Sequence, residues 1–171
     1  NQSNAVISNN TIYYPDSFYE SYAIRVYDAV IENNSIIMEN GDGETRGIYG
    51  SGEIINNSID ISGHQGWDGS AAIWIEGNDG SSIATGNDIT YNNDSYGIYV
   101  MGEAEVEVSN NTLTGSSSNW AVYLDQANVN FHDNIITASD RGIYVTNTSA
   151  IITGNLIETS GRGVEFQSQS G

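Results

Sequence analysis

The chain has 171 residues, and 22 Asp plus Glu against four basic side chains, all arginine, give it a formal net charge of −18. That charge repels phosphate backbones and anionic lipid, which disfavours nucleic acids and membrane surfaces as partners, and no nucleic-acid partner is expected. The absence of Cys rules out disulfide and thiolate chemistry. No apolar run approaches the ~20 residues of a membrane span, which rules out direct membrane insertion.

From the N-terminus onward two short phrases alternate. The first is a small residue, an apolar one, a variable one and a second apolar one, with its leading apolar residue at Ile24, Ile48, Ile73, Ile98, Val122, Ile143 and Val164. The second is centred on an asparagine, at Asn10, Asn34, Asn57, Asn87, Asn111, Asn134 and Asn155. Steps of 21 to 30 residues sustained over the whole length are the signature of stacked supersecondary units that share one continuous core.

Within each unit three segments of period two, rich in Ile, Val, Tyr and Thr, are separated by Gly, Asn, Asp and Ser turns, which predicts strands and no helix. The first strand sends the column from Ile24 to Val164 inward. The second sends in the residue three before each asparagine, Ile7, Ile31, Ile54, Ala84, Val108, Phe131 and Ile152. The third, after the asparagine, sends in Ile12, Ile36, Ile59, Ile89, Leu113, Ile136 and Ile157. Asparagine pairs such as Asn33-Asn34 and Asn110-Asn111 fall where a tight turn needs left-handed φ, and their amides can stack from coil to coil. A leucine-rich repeat also ends a strand in Asn-x-Leu, but only Leu113, Leu124 and Leu156 are present.

With these phrases the sequence resembles the right-handed parallel β-helix repeat family, the pectate-lyase-like superfamily, over essentially its whole length. The resemblance implies an all-β solenoid of about seven coils with three strands each, forming a single domain over residues 1–171. It implies no activity, since the family holds lyases, hydrolases, epimerases, tailspikes and purely structural surface proteins. The start at Asn1 and a near-integral number of coils without caps fit either a segment of a longer chain or a subunit that stacks end to end. The Cys-free and Lys-free composition suits an extracellular or cell-surface protein.

Two features rise above the bare repeat. The outward residue of the first strand runs Arg25, Tyr49, Trp74, Tyr99, Tyr123, Tyr144, Glu165. Its five consecutive aromatics predict a ladder up one face, each ring beside a small residue (Gly47, Ala72, Gly97, Ala121, Gly142) that is expected to leave it uncovered. Such a ladder either contacts a sugar or a protein, or stacks on itself for stability. The loops entering that strand, at residues 14–20, 39–44 and 63–69, are long in the early coils and, with residues 76–80, are expected to wall a groove.

Chemistry-bearing residues gather on those loops. Asn40, Asp42 and Glu44 place three oxygen donors on alternate residues, the spacing with which calcium loops begin, although a solvated acidic turn reads the same way. Glycoside hydrolysis needs two carboxylates across the bond, for which Asp42, Asp68 and Glu76 are the candidates. Lyase chemistry would have only Arg25 and Arg46 to neutralise a uronate. The paired-Asp with Gly-His signature of polygalacturonases and the Asp-Pro-His signature of alginate epimerases are both missing. His64 and His132 are isolated. The leading expectation is therefore a non-catalytic extracellular or cell-surface β-helix segment, a stalk, adhesin or filament body with the aromatic face as its contact surface and with end-to-end self-association as one reading of its ends. The alternative is a polysaccharide-binding or polysaccharide-degrading module using an aromatic-floored groove.

Overall fold

A computed structural model describes residues 5–15, 20–39, 43–63, 69–77, 80–102, 105–138 and 140–167. Every regular element among them is a β-strand. In chain order these are β1 (Ala5–Ser8), β2 (Thr11–Tyr14), β3 (Ser21–Glu32), β4 (Ser35–Glu39), β5 (Thr45–Ile55), β6 (Ser58–Gly63), β7 (Ala71–Gly77), β8 (Ser81–Thr85), β9 (Asp88–Asn93) and β10 (Tyr96–Gly102). There follow β11 (Glu105–Ser109), β12 (Thr112–Ser117), β13 (Trp120–Asp125), β14 (Asn128–His132), β15 (Ile135–Ala138), β16 (Arg141–Thr146), β17 (Ser149–Thr153), β18 (Leu156–Thr159) and β19 (Val164–Gln167).

Each strand pairs in parallel with its counterpart one coil away, so the chain winds as a β-solenoid with three faces. The first face carries the N-terminal halves of β3 and β5, then β7, β10, β13, β16 and β19. The second carries β1, the C-terminal halves of β3 and β5, then β8, β11, β14 and β17. The third is the sheet β2-β4-β6-β9-β12-β15-β18. Because β3 and β5 turn the corner without a break, the first two faces form one continuous twelve-stranded sheet. The corner of β3 is marked by a register shift between Val26 and Ala29 and by Asp28 at φ 54°.

Register follows the sequence columns. Ile48 lies beside Ile73, Ile73 beside Ile98, Ile98 beside Val122 and Val122 beside Ile143. In the inner coils the three predicted inward columns are fully buried, with Ile31, Ile54, Ala84, Val108, Phe131, Ile36, Ile89, Leu113 and Ile136 at 0% exposure. Parallel strands repeat at about 4.8 Å, so each β-branched side chain meets its equivalent above and below at van der Waals distance.

The turn between second and third faces is built from the predicted asparagine pairs. The first residue of each pair takes left-handed φ: Asn9, Asn33, Asn56 and Asn110, with Gly86, Asp133 and Gly154 filling the same place. The second is buried and hydrogen-bonded along the axis. Asn87 is typical: its backbone N–H and its Nδ2 both donate to Asn111 Oδ1 at 2.9 Å, and Nδ2 also donates to the Ile54 carbonyl at 2.9 Å. The chain of amides runs without a gap from Asn10 to Asn155. Five polar side chains at 1% exposure are thereby satisfied in an otherwise apolar interior.

Candidate functional site

The outward column of the first face is the predicted ladder. Tyr49 pairs in register with Trp74, Trp74 with Tyr99, Tyr99 with Tyr123 and Tyr123 with Tyr144. Parallel in-register pairing puts identical positions one rung apart, and rings fill that spacing by stacking. Trp74 and Tyr99 stack with centroids 3.9 Å apart and planes 14° from parallel; Tyr99 and Tyr123 do so at 4.9 Å and 2°. Tyr123 and Tyr144 are 5.0 Å apart and tilted by 34°.

The stack differs from expectation in one respect. The small residues beside the rings do not uncover them, because they face the corner with the third face. A Cβ at Gly97 would come 2.8 Å from Leu113 Cδ2 and 2.9 Å from the Ala121 carbonyl oxygen, and one at Gly47 2.8 Å from Ile59 Cγ2. Their smallness is thus a packing requirement of that corner. The rings meanwhile cover one another, and Trp74 is only 9% exposed. The stacked faces of Trp74, Tyr99 and Tyr123 are turned toward one another.

Residues three positions before the ladder reinforce it; the sequence singled out Arg46 among them only as a charge, and Tyr96 and Trp120 not at all, although they recur at a fixed place in the repeat. Tyr96 meets both Tyr99 and Tyr123 edge-on at 5.1 and 5.5 Å, and Trp120 lies 5.1 Å from Tyr144. Arg46 lays its guanidinium 4.2 Å from the Trp74 ring centroid and 5.1 Å from that of Tyr49. Although 7% exposed, Arg46 is charge-balanced: Nη1 donates to Glu20 Oε1 at 2.9 Å and Nη2 to Glu44 Oε2 at 2.7 Å. It also donates to the Tyr22 hydroxyl at 3.0 Å and the Gly69 carbonyl at 3.3 Å. The Tyr22 hydroxyl donates to the Glu20 carboxylate, and that bond, with the Arg46 guanidinium, lowers the Glu20 pKa from its ordinary 4.5. Burial raises the Tyr99 and Tyr123 phenols above the usual range.

Of the three candidate acids, Asp42 and Asp68 lie outside the described residues. Glu76, at the end of β7, accepts hydrogen bonds from Tyr49 and from Tyr27, the latter at 3.3 Å. Burial and the bond to Glu76 raise the Tyr49 phenol, which stays protonated as the donor. The candidate calcium loop is described only at Glu44, whose carboxylate is engaged by Arg46; Asn40 and Asp42 lie outside the described residues.

A second concavity was not anticipated. The second face, across β8, β11, β14 and β17, holds a groove of about 810 Å³ lined by Ile83, Glu105, Glu107, Asn128, Asn130, Ile151 and their neighbours, with Phe166 of β19 also in its lining. Next to it His132 places Nδ1 2.9 Å from Asp133 and Nε2 3.6 Å from Glu107. No residue-type motif announces this groove, because its members are spaced a full coil apart.

A family model described as periplasmic copper-binding protein (NosD) matches residues 27–171. The chain belongs to the NosD family. That description agrees with the expectation of an exported β-helix protein. No curated protein and no solved structure gives a match. The copper of the NosD description finds no matching donor set among the described residues. Cys is absent; of the two Met, Met38 is fully buried in the core and Met101, half-buried on β10, stands in register with Glu76 and Asp125 and not with a His; and among the described residues no cluster of three or more His, Cys, Asp or Glu side chains is placed to hold a metal ion. His64 lies outside the described residues.

Proposed function

We propose that this chain is a non-catalytic β-helix of the cell envelope, a rigid stalk or scaffold whose aromatic face is part of its structure. The observation that carries the reading is the ladder's geometry. A ring that serves as a sugar platform offers its flat face, and here the faces of Trp74, Tyr99 and Tyr123 are taken up by one another. Glu76 supports the same reading, since both phenols that reach it donate to its carboxylate and leave it held as an acceptor.

Assay against a panel of neutral and acidic polysaccharides tests this, by new reducing ends and by the absorbance of unsaturated uronates. The expected result is no product above background. Tyr99→Ala is expected to lower the unfolding midpoint without altering any activity. Product formation abolished by Glu76→Gln would overturn the reading.

A further inference from the structure

We infer that the groove on the second face is a binding site for an extended, non-anionic oligosaccharide lying along the solenoid axis. The inference goes beyond the scaffold reading and rests on it only in taking the bound chain to be held and not cut.

The groove's polar groups come from successive coils. Ile83, Glu107, Asn130 and Ile151 stand in register on β8, β11, β14 and β17, and Glu105 stands beside Asn128. A ligand running across the strands therefore meets a new pair of groups at every rung, about 4.8 Å apart. The repeat of an extended pyranose chain is close to one rung, so each sugar can face one coil. An extended peptide instead repeats its side chains on one face every ~6.6 Å and falls out of step.

The lining is suited to hydroxyls. Glu105 and Glu107 are acceptors, and Asn128 and Asn130 each offer both donor and acceptor. Glu107 is held in place by Ser109 Oγ, which donates to it at 3.1 Å. Such fixing lowers the ordering cost of binding. Ile83 and Ile151 supply aliphatic contact for C–H faces, and Ile151 is 64% exposed. Two groove carboxylates on a chain of net charge −18 repel polyuronates.

The test is calorimetric titration of the intact chain with neutral hexasaccharides of β-linked glucose, xylose, mannose and N-acetylglucosamine, and with a galacturonate hexamer. We expect at least one neutral hexamer to bind and the galacturonate not to. Glu107→Gln and Asn130→Ala, both at the surface, should each weaken binding by about tenfold, the loss of one hydrogen bond to or from a charged or well-placed group. Tyr144→Ala on the first face should leave it unchanged. No binding by any neutral hexamer, preference for the galacturonate, or sensitivity to Tyr144→Ala but not to the groove variants would overturn the inference. Release of shorter sugars with binding intact would overturn the non-catalytic reading alone.

Discussion

Asn111 shows how much a single side chain does in this architecture. Its Oδ1 accepts two bonds from Asn87, while its own backbone N–H and Nδ2 donate to Asn134 Oδ1 and Nδ2 donates to the Ala84 carbonyl. Truncation takes the Oδ1 acceptor from the Asn87 backbone N–H and Nδ2 and the Nδ2 donor from the Ala84 carbonyl, all on the preceding coil, while Asn134 Oδ1 keeps only the Asn111 backbone N–H. Asn111→Ala is therefore expected to cost about 3 kcal/mol in urea unfolding, the upper end for a buried group losing its partners. Arg46 is the comparable residue on the first face. Its replacement by Ala removes two charged hydrogen bonds and the cover over Trp74, for an expected loss of about 2 kcal/mol, and tryptophan emission should shift to the red. Glu20 gives this cluster a pH signature. Its folded pKa is depressed, so its contribution is present above 4.5 and is lost as the pH falls through the lowered folded value. The thermal midpoint of the wild type should exceed that of Glu20→Gln at neutral pH, and the two should converge in acid.

Among the elements, β9 and β12 show a corner packed to its limit. Tyr91 on β9 is 1% exposed, and its hydroxyl has no hydrogen-bond partner among the described residues. Its ring occupies the space above Gly115 on β12, where a Cβ would come within 2.2 Å of Cζ. Gly115→Ala should destabilise by about 1 to 3 kcal/mol, because a whole ring and not a flexible tip must move. Tyr91→Phe should do the reverse and stabilise by about 1 kcal/mol, since it removes a buried polar group and keeps the ring. Paired denaturant curves check both, and a destabilised Tyr91→Phe would mean that the hydroxyl is bonded after all. Burial also raises the Tyr91 phenol, as expected for a group enclosed by apolar neighbours.

For the molecule as a whole, the same burial sets an alkaline limit. Tyr49, Tyr91, Tyr99 and Tyr123 all have pKa values raised by desolvation above the ordinary 10.0. In the unfolded chain they ionise near 10.0, while the folded state retains their protons. Stability is thus fully present below pH 10.0 and falls as the pH rises above it. Urea midpoints measured on either side of pH 10.0 should show this drop, and ultraviolet titration should find a fraction of the phenols silent until the chain unfolds.

The periodic columns of Ile, Val and Asn were sufficient to read the solenoid, its three faces and its inward residues, since a strand's two-residue alternation and a recurring turn leave little choice of which side chain goes in. The aromatic ladder was legible for the same reason: its members hold one place in the repeat. Its covering was not. Whether a ring shows its face or its edge depends on the distance and tilt to the next coil, and whether Gly97 opens a ring or fits a corner depends on Leu113, sixteen residues on. Arg46 was legible only as a charge that could face a uronate; its packing role was not, because its partners, Glu20, Glu44 and Trp74, are brought together only by winding. The second-face groove is the limiting case. Ile83, Glu107, Asn130 and Ile151 share no motif, and their adjacency exists only in the register between coils, a property of hydrogen-bonded backbones that no local stretch of sequence contains.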